Sequence, residues 1–152
     1  MTKTTNPLRL ALEDVLDPAG FTRQGGTWFR KTNDVVQVVN LQKSQDGKQY
    51  FINYAIWLRA LGEESFPKEE KCHIRMRAGA VVSSESNLAS LLDHDVAEPN
   101  DERRARLAQM LASEFLPYVD AGQTNDGLRS LLADGSLKKA MVHVAAKELL
   151  GR

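Results

Sequence analysis

Hydrophobic positions follow three rhythms along this chain. Leu8, Leu12, Val15 and Leu16 recur at helical spacing behind Asn6-Pro7, where Asn can cap a helix and Pro fits its first position. Asp17-Pro18 stops the pattern and Gly20 lets the chain turn into Phe21. The spacing predicts an amphipathic helix of about three turns, whose apolar stripe must lie on something. From residue 21 to about 59 the period drops to two. Residues 22–24, 27–32, 35–44 and 48–58 read as strands, separated by Gly25-Gly26, Asn33-Asp34 and Asp46-Gly47. Residues 72–78 alternate again, with Cys72, Ile74, Met76 and Ala78 on one side and His73, Arg75 and Arg77 on the other.

Beyond about residue 86 the rhythm is helical. Glu98-Pro99-Asn100-Asp101-Glu102 reads as a helix start with acids in the first turn, where the helix dipole favours them. Leu107, Met110, Leu111, Glu114 and Tyr118 follow at helical spacing, and Pro117 bounds or kinks that helix. Residues 127–134 predict a short helix ended by Gly135, and Ser136 caps a last helix through Leu150, closed by Gly151.

Turn chemistry sets the register. Asp-Gly favours a two-residue type I′ hairpin. Strands joined at Asp46-Gly47 then pair so that residue numbers sum to 93, setting Asn40 opposite Asn53 and Leu41 opposite Ile52. A two-residue turn at Asn33-Asp34 gives a sum of 67 and sets Trp28 opposite Val39. One face then carries Trp28, Val35, Val39, Leu41, Ile52, Tyr54, Ile56 and Leu58, the expected core under the first helix. The other face has an apolar end (Phe29, Val36, Val38, Ala55, Trp57) and a polar end (Thr27, Asn40, Gln42, Asn53). A one-residue slip would exchange the faces. The expected architecture is α+β: an antiparallel meander of four or five strands, one helix before it and several after. All 152 residues form a single domain, helix plus sheet over 1–80 and mainly helical over 81–152.

Composition narrows the class of function. With 42% hydrophobic and 26% charged residues and a formal charge of zero, the chain is an ordinary globular one. It lacks the cationic surplus that nucleic-acid or membrane binding normally needs. Charge is uneven: residues 1–60 hold 8 bases and 5 acids, 61–98 hold 4 and 8, and 99–152 hold 8 and 7. A single cysteine, no apolar leader and no long apolar run make the cytoplasm the expected compartment.

Gly20-Phe21, Phe29-Arg30, the run from Val36 to Lys43 ending Asn-Leu-Gln-Lys, Phe51-Ile52-Asn53 and Ile74-Arg75-Met76-Arg77 carry a resemblance. Over residues 8–80 the chain resembles a family of uncharacterised bacterial proteins catalogued only as a domain of unknown function. The resemblance implies a bacterial cytoplasmic α+β domain with no activity attached.

Tests for chemistry return little. No phosphate-binding loop, Gly-x-Ser-x-Gly or His-Glu-x-x-His motif is present. Cys72-His73, Asp93-His94-Asp95 and His143 supply metal-ligand types, but strand neighbours point to opposite faces, so Cys72 reads as core and the histidines as surface or capping groups. Neither a metal nor a cofactor is expected. Arg103, Arg104 and Arg106 read as a solvated helix face, with Glu102 and Arg106 an i, i+4 pair. The best constellation is Asn40, Gln42 and Asn53 with Arg75 and Arg77, beside Trp57. Carboxamides offer donors and acceptors, and arginine a planar fork for carboxylate or phosphate. The competing reading has Asn40 and Asn53 bonding each other while the arginines meet the acidic segment 63–70. The expected function is a non-catalytic binding or protein-interaction module of a bacterial cytoplasm, with another bacterial protein the candidate partner. The alternative is a small-ligand binder, or an enzyme of unrecognised type, using the Asn/Gln/Arg cluster. An enclosing pocket would favour the alternative, and an open face the protein partner.

Overall fold

The computed structural model describes residues 6–47, 49–93 and 100–151. Helix α1 (Pro7–Leu16) starts as its sequence dictates, with Asn6 Oδ1 accepting from the Leu8 N–H at 2.9 Å and Pro7 in the first turn. Six strands follow in chain order and pair antiparallel in that order: β1 (Thr22–Gln24), β2 (Thr27–Lys31), β3 (Val35–Lys43), β4 (Tyr50–Leu58), β5 (Ile74–Arg77) and β6 (Met141–Val142). Helices α2 (Glu85–Leu91), α3 (Asn100–Met110), α4 (Leu116–Ala121) and α5 (Asn125–Ala133) lie between β5 and β6, and α6 (Val144–Leu150) closes the chain. Glu98 and Pro99 of the expected helix start lie outside the described residues. Among those described, no helix is long and apolar enough to cross a membrane.

The register follows the turns. β2 meets β3 with Trp28 opposite Val39, and β3 meets β4 with Asn40 opposite Asn53 and Leu41 opposite Ile52. The expected type I′ geometry is not what joins β3 to β4. No described non-glycine residue has positive φ, so Asp46 stays in the ordinary region while Gly47 alone turns, at φ +74°. The Gly47 N–H bonds Ser44 C=O at 2.9 Å, and the Ser44 N–H bonds Gln49 C=O at 2.7 Å. Widening a hairpin loop by one residue on each side leaves the sum of paired numbers unchanged, so the faces survive the change of turn.

One sheet face carries the main core. Trp28, Val39, Ile52, Tyr54, Ile56 and Leu58 are buried there against side chains from all six helices, including Leu12, Leu88, Leu107, Val119, Leu128 and Leu150. The other face holds a smaller cluster of Phe29, Val36, Val38, Ala55 and Cys72, with Trp57 packed against it. The segment between β4 and β5 covers it: Pro67 is buried and the Phe66 ring meets Phe29 edge-on at 5.3 Å.

Four expectations are corrected. The sheet has six strands, because Met141-Val142 pairs with Ile74 and Arg75 where a continuous last helix from Ser136 was expected. Cys72 is buried but not in the Ile74 row. A 3₁₀ turn over Glu69–Lys71 precedes it and β5 begins only at Ile74, so strand alternation does not reach back to Cys72. Pro117, expected to bound or kink its helix, does not end it. A π turn over Leu111–Phe115 runs from α3 into α4 with Pro117 in the first turn of α4, a widened ladder that accommodates a residue lacking an N–H. Arg103 leaves the solvated face: it is 6% exposed, and its Nε donates to Leu91 C=O at 2.8 Å. Its neighbour Arg104 grips Asp14 of α1 with two bonds, of 2.7 and 2.8 Å.

Candidate functional site

The polar end of the second face forms as the register requires. Asn53 Nδ2 donates to Asn40 Oδ1 and to Gln42 Oε1, each at 2.9 Å. Two carbonyl oxygens thus converge on one amide nitrogen, and the NH₂ groups of Asn40 and Gln42 take no part in these bonds. Asn53 is 6% exposed, whereas Gln42 is open to solvent and Asn40 half-buried. Arg77 lies opposite Asn53, its guanidinium 3.8 Å from the centre of the Phe51 ring. Arg75, two residues back along β5 and opposite Ala55, is ion-paired with Glu69 at 3.1 Å.

Trp57 stands apart from this group. It faces Val36 at the apolar end, donates from Nε1 to Gly62 C=O at 2.9 Å, and has its ring centre 4.3 Å from that of His73. The competing sequence reading is therefore half realised: Asn40 and Asn53 bond each other and Arg75 meets the acidic segment, but Arg77 takes an aromatic ring instead. The covering segment ends short of the polar end. It leaves two shallow, open depressions of about 300 and 330 Å³, one bounded by Thr27, Asn40 and Phe66, the other by Gln42, Asn53, Arg77 and Met141.

The metal-ligand candidates do not assemble. Among the described residues no three His, Cys, Asp or Glu side chains come together, and His94 and Asp95 lie outside those residues. His73 Nδ1 accepts from the Leu58 N–H at 2.9 Å, and His143 occupies the N-cap position of α6. Burial, and then His143, hold the His73 pKa below its ordinary value. Burial, and then Glu69, push the Cys72 thiol up to about 12, so it stays protonated and unreactive at neutral pH.

A second polar cluster escaped the sequence reading. Gln37 is fully buried on the core face, where its Nε2 donates to Tyr54 Oη at 2.8 Å and to Val119 C=O at 2.6 Å. Its Oε1 accepts from Arg30 Nε at 2.9 Å. Arg30 also donates to Ala19 C=O at 3.0 Å and to Asp120 at 2.9 Å, and lies over Phe21. Burial, the first cause, raises the Tyr54 pKa, so the phenol stays neutral. Gly122 closes the group, since a Cβ there would come within 2.9 Å of Tyr54 Oη. The signal was present: the sum of 67 pairs Arg30 with Gln37, and Gln37 shares the inward parity of Val35 and Val39. This cluster pins β2, β3 and β4 to α4, and Gln37 and Tyr54 at its centre are sealed from solvent.

No curated protein and no solved structure matches the chain. A family model does, over residues 12–121, further along the chain than the resemblance read from sequence. With well over half of its length matched, the chain belongs to the family described as a domain of unknown function, DUF4304.

Proposed function

We propose that the chain is a non-catalytic module that binds another protein through the uncovered polar end of its second sheet face, in a bacterial cytoplasm. The observation that carries this reading is the openness of the Asn53 cluster: its depressions are shallow, whereas a small-molecule site normally encloses most of its ligand. Amides and guanidiniums keep their protonation state near neutral pH, so this face is equipped for recognition rather than proton transfer. The NH₂ groups of Asn40 and Gln42, which Asn53 does not engage, can donate with Arg77 to the carbonyls and carboxylates of a partner. Phe66 and Met141, 51% and 53% exposed, flank the cluster and are residue types that anchor protein interfaces. The free, buried Cys72 supports a reducing compartment, and the motif resemblance supports the bacterial setting.

The test compares the tagged chain with a Gln42→Glu, Arg77→Glu double variant as bait in a lysate of its own cells. The Gln42→Glu change keeps an oxygen for Asn53 Nδ2 and alters only the charge presented outward. The expected result is a polypeptide retained by the first bait and lost from the second, with equal melting temperatures. Identical retention by both baits would overturn the reading.

A further inference from the structure

β4 is longer than its neighbour. β5 pairs with Asn53 to Ile56 and ends at Arg77, so the first residues of β4 run on past it. The chain then folds into a 3₁₀ turn over Ala78–Ala80, and α2 comes in beside β4 instead of a strand. The Tyr50 N–H donates to Leu92 C=O at 3.1 Å, and Gln49 Nε2 to Ala89 C=O at 3.1 Å. A helix cannot fill the space that a strand would, and a groove of about 450 Å³ is left between them. It is larger than the two depressions beside Asn53, and its lining is mainly apolar where theirs is mainly polar, as the lining of a small-molecule site usually is.

The groove is amphipathic. Tyr50, Phe51, Ala80 and Ala89 give it an apolar floor over the buried Ile52, Leu88 and Leu92, and Arg77 and Lys139 stand among its polar lining. Among the described residues neither cation has a carboxylate within ion-pair distance, and Arg77 is held in place by the Phe51 ring. Glu85 is the acid of the lining, its stem against Gly79, where a Cβ would come within 3.2 Å of Glu85 Cγ. Two cations over an apolar floor, against one acid, select a small molecule with an anionic head and an apolar body.

We infer that this groove binds an apolar carboxylate, its head between Arg77 and Lys139 and its body along Tyr50, Ala80 and Ala89. The site goes beyond the proposed protein-binding face. Lys139 borders the groove and neither depression of that face, so its variants separate this inference from the proposed function.

The experiment titrates the uniformly ¹⁵N-labelled full chain with octanoate, and separately with octylamine, following backbone amide shifts. Saturable shifts at residues 50–52, 78–80 and 88–92 are expected with octanoate, and none with octylamine. Lys139→Ala and Arg77→Gln should each weaken octanoate binding roughly fivefold, the scale of one partly exposed charge contact. Ala89→Trp, which lays an indole over the floor from an exposed helix position, should abolish binding while amide dispersion is retained. Non-saturating or scattered shifts would overturn the inference, as would equal binding of octylamine, or octanoate affinity unchanged in both charge variants.

Discussion

Two trios of polar side chains occupy opposite faces of the same strands. Gln37, Arg30 and Tyr54 meet on the core face, and Asn53, Asn40 and Gln42 on the other. Each is centred on one carboxamide, and the bonds are alike in length: 2.6 to 2.9 Å around Gln37, 2.9 Å around Asn53. They differ in access to water. Gln37 and Tyr54 are 0% exposed under six helices, while the partners of Asn53 reach solvent. The same amide chemistry is therefore structural on one face and available on the other, because a sealed group that loses its partner has no water to turn to.

The comparison predicts a ladder of stabilities. Gln37→Ala should fall furthest, by about 3 kcal/mol, since it leaves Tyr54 Oη, Val119 C=O and Arg30 Nε without their partner in a dry core. In thermal melts that is a drop of roughly 10 °C for a chain of this size. A drop no larger than that of Asn53→Ala would break the comparison. Tyr54→Phe keeps the ring and its edge contact with Phe115 but removes one bond of Gln37, so about 1–2 kcal/mol should be lost.

Asn53→Ala should lose about 1 kcal/mol, or roughly 2–4 °C, because Asn40 and Gln42 can rebind water. It should also weaken capture of the partner. Loss of stability with capture intact would mark Asn53 as purely structural. Gln42→Ala should move stability least, within about 0.5 kcal/mol, since its side chain is exposed. A larger loss would show that the open face contributes to the fold as the sealed one does.

Much of the sheet was legible. Alternation and two turn signals are local properties, and they place Asn40 beside Asn53 and split the second face into apolar and polar ends, as the structure shows. What escaped was non-local. Gln37 reads as one polar residue in a valine run, and its role depends on Val119, 82 positions away, arriving with a carbonyl. Cys72 changed clusters because a turn delayed the strand that follows it. β6 formed because two residues found an open edge on β5, a context that no local propensity encodes.

The polar cluster divides the same way. Its members and their mutual bonds follow from register, but that Trp57 turns toward Gly62 and His73, and that Arg75 meets Glu69 while Arg77 meets the Phe51 ring, depended on where the segment between β4 and β5 settled. By itself the sequence determined the first five strands, their faces and the residues that meet across the central ones, since side-chain period and turn geometry act over a few residues. Only the tertiary structure decided which face was sealed by helices and which was left open, and where β5 stopped short of β4 to leave a groove. Those outcomes depend on how distant segments compete to bury apolar surface, and that competition is settled only when the whole chain packs.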